Sequence, residues 1–356
     1  MLIRHKTQVV PYPLEELLSR ETSEAIQIAR VLCIIFMISV HFWPGAKQVL
    51  HADVPAVLHV FYDIVIDYLG RGSVPLLSTV SGILLTISAA RHPVPLRLLP
   101  GKARSLLVPM LTWSAVMVAL AVLNAVLLHD RTELPLGAMG WVNAFFALTA
   151  PPANLPLAFL RDVFVAAAIG LLAIGVHRRL PVAGVLLLLT AAAMEGGTGG
   201  ILLLRPQILT FFALGILLSW AGAANFVPRW WLVLGMLVLD VTLQIFPVTG
   251  VAGEFLHAYL NRIAMMLLMW RVAIAIVRAG GPAHRTIRRL EPYVFTIFCT
   301  HMIMVSAVAV LAGKAGIEVE DAAYPLLFLA QFPLAVMLAV AIATARRRVL
   351  SKAPIQ

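Results

Sequence analysis

Residues 30 to 41 read Arg30-Val31-Leu32-Cys33-Ile34-Ile35-Phe36-Met37-Ile38-Ser39-Val40-His41, an apolar stretch that begins with a cation and ends with an imidazole. In an α-helix, eleven steps of about 100° return to within about 20° of the starting direction and rise about 16 Å. Arg30 and His41 are therefore predicted to share one face of a membrane helix, near its opposite ends. Because polar groups are costly in hydrocarbon, this placement indicates either a functional site or a snorkelling Arg together with a satisfied interfacial His.

The composition of the chain is that of a membrane protein. Of its 356 residues, 61% are hydrophobic and 12% are charged, and the mean hydropathy is +0.94. Several apolar runs reach the roughly 20 residues that a helical span needs. The composition therefore predicts an all-α, polytopic membrane protein and excludes a soluble globular one. The first 25 residues are polar and lack the short apolar core of a cleavable signal peptide.

Ten apolar runs are candidate transmembrane helices, and the cations between them fall into two sets. The runs are 26–43, 69–89, 106–128, 155–176, 181–196, 203–220, 230–246, 255–277, 293–312 and 323–345. The larger set of cations lies in the N-terminal segment, in alternate loops and in the C-terminal tail: Arg4, Lys6, Arg20, Arg91, Arg97, Lys102, Arg104, Arg178, Arg179, Arg229, Arg278, Arg285, Arg288, Arg289, Arg346, Arg347, Arg348 and Lys352. The other loops hold only Lys47, Arg131 and Lys314.

This alternation predicts the orientation of the chain. Ten spans place the whole larger set on one side, and the positive-inside rule makes that side cytoplasmic, with both termini there. We expect a cytoplasmic N-terminal segment at 1–25, a ten-helix membrane domain at 26–345 and a basic cytoplasmic tail at 346–356, in a multi-pass protein of the inner cell membrane. The net charge of +10 follows from this topology, so no nucleic-acid partner is expected.

Two long connections lie on the predicted outer side, at 44–68 and 129–154. They could form a partly helical cap over an outer cavity, or they could be ordinary solvated loops. His51 and His59 lie in the first connection without supporting ligands, so no metal site is expected. Cys33 and Cys299 both fall inside apolar spans, which makes a disulfide framework unexpected.

Five segments carry a further pattern, in this order: Arg30 to His41, Val74 to Leu85, the set Lys102, Arg104, Pro109 and Trp113, Leu157 to Phe164, and Ile297 to His301. Their order and the Arg-to-His spacing resemble the integral-membrane acyltransferase family 3, whose members O-acylate sugars and other extracytoplasmic acceptors. The chain departs from the family pattern at Leu77, Thr79 and Val80, where aromatic residues are usual, and at Leu157 and Ala158, where the family has a Trp.

The resemblance implies the substrates of the reaction. The donor would be an acyl-coenzyme A, usually acetyl-coenzyme A, acting as a substrate, with no permanently bound cofactor. The acceptor would be a hydroxyl of an extracytoplasmic glycan or a lipid-linked saccharide. The donor phosphates need cations on the cytoplasmic side, and Arg30, Arg97, Lys102 and Arg104 are available there. Positive-inside charge alone would also account for the last three.

Acyl transfer to a hydroxyl needs a base near neutral pKa, and two histidines are candidates. His41 is the better placed. His301 lies about 12 Å into an outward-running span, and it is either a second catalytic group or a His that is hydrogen-bonded inside the bundle. A carboxylate commonly orients such a base. Asp162 and Glu195 lie near the outer ends of their spans, and Asp240 lies deeper.

Arginines at outer or middle depth complete the set of candidates: Arg71, Arg161, Arg205 and Arg262. Most are expected to form structural ion pairs, such as Arg205 with Glu195, although one could stabilise the oxyanion or orient the acceptor.

Two other functions stay open from the sequence. The first is a non-catalytic transporter or flippase of a lipid-linked glycan, and the second is an interaction subunit with a degenerate catalytic site.

Overall fold

The computed structural model describes residues 18–127, 129, 132, 134–197, 200, 202–246 and 248–352. Within these ranges the chain is helical and contains no strand. Seven helical segments are long and apolar enough to cross a membrane, and three shorter apolar helices of 10–17 residues accompany them. The chain is thus a polytopic helical membrane protein.

The α-helices follow one another in chain order as α1 Arg20–Ser39, α2 Ala46–Leu50, α3 Ala56–Tyr62, α4 Arg71–Ala90, α5 Leu99–Leu127, α6 Gly137–Phe146, α7 Ala158–His177, α8 Pro181–Gly197, α9 Gln207–Trp220, α10 Trp230–Ile245, α11 Val251–Ala279, α12 Gly281–Leu290, α13 Val294–Ala315 and α14 Tyr324–Lys352. A π-helix, Asp63–Gly70, joins α3 to α4. Short 3-10 helices at Pro95–Leu98, Leu155–Leu157 and Glu291–Tyr293 precede α5, α7 and α13.

Local chemistry explains why α1 differs from the predicted span 26–43. The helix begins at Arg20 because Ser19 caps it: the Ser19 hydroxyl accepts a hydrogen bond of 3.0 Å from the Thr22 N–H. This polar first turn carries no hydrophobic signal, so hydropathy places it in the N-terminal segment. The helix ends at Ser39, a few residues before Pro44, so His41 lies in the turn that follows the helix.

Two further boundaries also differ from the predicted ones. Residues 203–206 were expected to open the sixth span, but α9 begins at Gln207 with Pro206 as its N-cap, so Arg205 lies in a non-helical segment. At the other end of the chain, α14 continues to Lys352, beyond the boundary expected at residue 346. No Gly or Pro interrupts that stretch before Pro354, so nothing in it stops a helix.

The two long connections are partly helical and are not simple solvated loops. Residues 44–68 contain α2, α3 and the first part of the π-helix, and 129–154 contain α6. His59 links the pieces of the first connection, because its ring nitrogens lie 3.1 Å from an Asp63 carboxylate oxygen and 2.9 Å from the Leu50 carbonyl oxygen.

The bundle is held together around α1 and α4. Helix α1 packs against α4, α11 and α13, and both of its faces contribute buried residues. Helices α4 and α9 cross at Gly82 and Gly215, where a Cβ added to either glycine would overlap a carbonyl oxygen of the other helix. Small residues allow such close backbone approach in membrane bundles. The outer helices α5 and α14 present mostly exposed apolar surface, as expected for lipid contact.

Candidate active site

His41 lies in the wall of a cavity of about 160 Å³ at one end of the bundle. Its backbone N–H donates to the Ile38 carbonyl oxygen at 3.0 Å and so continues the turn that ends α1. The cavity is lined by Met37, Val40, His41, Gly70, Arg71, Val74, Pro75, Arg205, Gln207 and Arg262. The predicted base therefore has an open space in front of it, with three guanidinium groups around the same space.

The turn that carries His41 is fixed by helix α14. Gln331 is fully buried, and its side-chain oxygen accepts the Trp43 N–H at 2.9 Å. The Tyr324 hydroxyl donates to the Trp43 carbonyl oxygen at 2.9 Å. The ring of Phe42, which follows His41 in the chain, packs edge-on against Phe332 of α14, with centroids 4.7 Å apart. Both the N–H and the carbonyl of Trp43, two residues after His41, are thus hydrogen-bonded to α14.

The sequence did not single out Gln331 or Tyr324 as site residues. A lone Gln inside an apolar span is the signal that could have found Gln331, since a buried amide needs partners. The identity of those partners depends on how α14 packs against α1, and the apolar pattern does not contain that information.

His301 is the neighbour of His41, with ring centroids 5.5 Å apart. It is fully buried on α13. Its Nδ1 lies 2.8 Å from the Phe298 carbonyl oxygen. Because a carbonyl only accepts, Nδ1 carries the proton and Nε2 holds the lone pair. That Nε2 is buried and has no hydrogen-bond partner among the described residues. The two predicted histidines therefore lie side by side, and His301 offers a hydrogen-bond acceptor, its Nε2.

The two predicted carboxylates both bind the segment before α9. Asp162 is fully buried, pairs with Arg161 at 2.8 Å and accepts the backbone N–H groups of Leu204 and Arg205 at 3.2 and 3.0 Å. Glu195 accepts the N–H of Leu202 at 2.8 Å and that of Leu203 at 3.2 Å. Asp162 and Glu195 thus position the main chain that presents Arg205 to the cavity, and His41 has no hydrogen bond to a carboxylate among the described residues.

Asp240 belongs to a polar cluster on α10 and α11. Its carboxylate accepts from the Asn261 side-chain amide at 3.0 Å and lies 3.6 Å from His257 Nε2. Gln244, one turn further along α10, accepts a hydrogen bond of 2.7 Å from the Tyr68 hydroxyl. These contacts are of the structural kind expected for polar groups inside a bundle.

Arg30 lies near the middle of α1, which extends ten residues further to Arg20, and its Nη1 is 3.1 Å from Glu291 Oε1. Both side chains are partly exposed, at 43% and 30%. Arg97, Lys102 and Arg104 follow one another in the short 3-10 helix and the first turns of α5, and they make no side-chain hydrogen bond or ion pair with any described residue. The structure therefore gives Arg30 a carboxylate partner and does not join it to the three other predicted donor-binding residues.

The loop that leads to those cations is fixed by Arg178 at the end of α7. Its guanidinium donates to the carbonyl oxygens of His92 and Ala89, at 2.6 Å each, and to that of Pro93 at 3.1 Å. These carbonyls end α4, so one side chain ties the exit of α4 to the end of α7. The entry to α5 is held in place as a result.

Comparison with known proteins agrees with this architecture. The model of the acyltransferase domain family Acyl_transf_3 matches residues 23–345. The chain is 25% identical over 314 residues to the succinoglycan biosynthesis protein ExoH of Rhizobium meliloti (strain 1021), an alignment that covers 77% of this chain and 75% of that protein. No solved structure matches the chain. With a family match over most of its length and a polytopic helical fold, the chain belongs to the acyltransferase 3 family and is a membrane acyltransferase.

Proposed function

We propose that the protein transfers an acyl group, acetyl in the simplest case, from cytoplasmic acyl-coenzyme A to a hydroxyl of an extracytoplasmic glycan or lipid-linked saccharide. The observation that carries this proposal is the position of His41, which lines a cavity and has His301 directly behind it. Arg30 lies about 16 Å away along α1. A reactive imidazole just beyond the end of α1 and a cation about halfway along that helix suit a donor that enters from one side and reacts near the other.

The chemical step follows from the properties of the imidazole. His41 takes the proton of the acceptor hydroxyl as the hydroxyl oxygen attacks the thioester carbonyl carbon. The new C–O bond forms and the C–S bond breaks, so coenzyme A leaves as a thiolate. The imidazolium then returns the proton to the sulfur, which releases coenzyme A as the thiol and restores neutral His41.

His301 and one cavity arginine are assigned supporting roles in this step. The lone pair on His301 Nε2 is an acceptor buried beside His41, and it can orient the His41 ring by accepting its N–H. Developing negative charge on the carbonyl oxygen is stabilised by a preorganised donor in a site that excludes water. Arg205, presented by the Asp162 and Glu195 contacts, is our candidate for that donor.

The glycan acceptor rests on the relative's name. ExoH is a succinoglycan biosynthesis protein, which supports a polysaccharide or its lipid-linked precursor as the acceptor here. For the donor, we assign the coenzyme A phosphates to Arg30, Arg97, Lys102 and Arg104, since guanidinium and ammonium groups suit phosphate.

The proposal includes a topology. Seven long and three short apolar helices correspond in position to the ten predicted spans. The shortest of them, the 14-residue α9, rises about 21 Å against a hydrocarbon core of about 30 Å. We propose that all ten cross the inner cell membrane, with 1–25 and 346–356 in the cytoplasm and 26–345 as the acyltransferase domain.

Mass spectrometry of surface glycans from cells with and without this protein tests the proposal. Loss of one acyl mass per repeating unit is expected in its absence, and that mass identifies the acyl group. A flippase would instead remove whole glycan chains, leaving the acyl content of the remaining chains unchanged. Purified protein supplied with labelled acyl-coenzyme A separates the two functions further, because only an acyltransferase releases free coenzyme A.

A further inference from the structure

Three arginines from separate elements converge on the cavity in front of His41. Arg71 opens α4, Arg205 lies just before α9, and Arg262 lies within α11. Three like charges around a cavity of about 160 Å³ repel one another. The Arg71 side chain is 58% exposed, whereas Arg205 and Arg262 are partly buried, and partly buried cations in an apolar bundle are costly unless something neutralises them.

The protein itself neutralises only part of this charge. Arg71 is ion-paired with Asp67. Arg262 donates to the neutral Ala258 carbonyl oxygen at 2.7 Å. The Arg205 side chain has no hydrogen bond or ion pair with any described residue, and Asp162, which binds its main chain, already holds Arg161. Of the three guanidinium groups, only that of Arg71 therefore forms a salt bridge with a described carboxylate, and Asp162 acts on Arg205 through a longer-range charge interaction alone.

A transient oxyanion does not account for three guanidinium groups, since one or two donors suffice for it. The coenzyme A phosphates do not account for them either, because in the proposed function those phosphates lie at Arg30, about 16 Å from His41 along α1. The remaining source of negative charge is a group on one of the two reacting substrates, close to the bond that forms.

We propose that Arg71, Arg205 and Arg262 form a subsite for a carboxylate carried by a substrate of the transfer. A carboxylate matches the planar fork of guanidinium and is small enough for this cavity. The carboxylate belongs either to an acidic sugar in the acceptor or to a dicarboxylic acyl group on the donor. This inference rests on the proposed acyl transfer and defines its substrate class.

A binding measurement on the whole protein in lipid nanodiscs tests the subsite independently of catalysis. The probes are glucuronate against glucose, and succinyl-coenzyme A against acetyl-coenzyme A, each followed by its effect on thermal unfolding and by direct titration. The carboxylate-bearing member of one pair is expected to bind about tenfold more tightly than its neutral counterpart, or better, a difference of about 1.4 kcal/mol. The pair that shows the difference identifies the source of the carboxylate.

Substitutions of the arginines test whether the preference for the carboxylate-bearing probe arises at this cavity. Arg205→Gln and Arg262→Gln should each abolish most of the preference, while Arg205→Lys, which keeps the charge without the fork, should retain part of it. Arg179→Gln is the matched control, since Arg179 is exposed at the end of α7 and away from the cavity; it should keep the parental preference.

Equal binding within both pairs would overturn the subsite, and so would a preference that survives Arg205→Gln and Arg262→Gln. Transfer assays with the same substrates then separate this inference from the proposed function. If acyl transfer occurs at equal rates with neutral and acidic substrates, the subsite fails and the acyltransferase proposal stands. If carboxylate binding depends on the arginines but no transfer occurs with any pair, the proposed reaction fails and the subsite stands.

Discussion

His41 stands where α1 ends, and its surroundings are set by residues distant in the sequence. The Trp43 N–H and carbonyl are held by Gln331 and Tyr324 of α14, and His301 of α13 lies beside the imidazole. At the residue scale, the site therefore depends on positioning groups as much as on the imidazole itself.

Removal of the Gln331 amide should impair the chemical step more than donor binding. Gln331→Met keeps the side-chain length but leaves the part-buried Trp43 N–H without its acceptor, a loss of about 0.5–1.5 kcal/mol. We expect lower thermal stability and a reduced kcat, with the KM for acyl-coenzyme A nearly unchanged. Tyr324→Phe, which removes one hydroxyl, should show the same pattern more weakly. A kcat equal to that of the parent in Gln331→Met would mean that the hydrogen bonds from α14 to Trp43 do not position His41.

Substitutions at the two residues of the Arg30–Glu291 ion pair should change coenzyme A binding in opposite directions. If Arg30 binds the donor phosphates, Glu291 competes with them for the guanidinium. Arg30→Ala should therefore weaken coenzyme A binding, and Glu291→Gln should strengthen it by a few-fold, since partly exposed pairs contribute about 0.2–1 kcal/mol. Both effects should shrink at high salt. Titration calorimetry measures them, with Arg104→Ala as a second weakening variant. Weaker binding in Glu291→Gln would contradict the competition.

At the scale of elements, the segment before α9 shows that a linear sequence predicts the hydrogen-bond partners of buried carboxylates poorly. Asp162 and Glu195 were predicted as partners of a catalytic His because of their depth, yet their hydrogen bonds run to the main chain of residues 202–205. Depth follows from position within a span. The partner follows from which helices are neighbours and how each is rotated, and neither can be derived from apolar periodicity alone.

The crossing of α4 and α9 should be intolerant of a single methyl group. Gly215→Ala places a Cβ against the Thr79 carbonyl oxygen, and Gly82→Ala places one against that of Phe212. Each should destabilise the protein by about 1–3 kcal/mol, as overpacked sites do. Gly175→Ala and Gly235→Ala are the controls, because an added Cβ there meets nothing within 4 Å. Thermal unfolding in nanodiscs compares the four. Equal melting temperatures would show that the helices do not approach as closely as described.

At the scale of the whole molecule, the apolar runs predicted the membrane-protein class and the positions of the long helices well, because burial in lipid imposes hydrophobicity along the entire span. Helix ends were predicted less accurately. Ser19 begins α1 six residues before the apolar run, and Pro206 begins α9 four residues after its predicted start. Caps and prolines set those ends through local hydrogen bonds, which hydropathy does not register.

The orientation of the bundle can be tested directly. Reporter fusions after residues 95, 180, 225, 283 and 352 should read cytoplasmic, and fusions near 50, 135, 250 and 317 should read external. Because one non-spanning helix reverses every fusion site that follows it, any reversed site would refute the ten-span topology. Reversal of the site near residue 50 would also refute the outward placement of His41.

The most direct test of the account is the turnover of His41→Gln. Glutamine keeps roughly the size and a hydrogen-bonding group of histidine, but it cannot take up a proton at neutral pH. The variant should therefore fold, insert and bind acyl-coenzyme A nearly as the parent does, while acyl transfer per folded molecule falls by about a hundred- to ten-thousand-fold. His301→Gln is the comparison: as a positioning group, it should lower transfer less. Near-normal transfer by well-folded His41→Gln protein would contradict the assignment of His41 as the base.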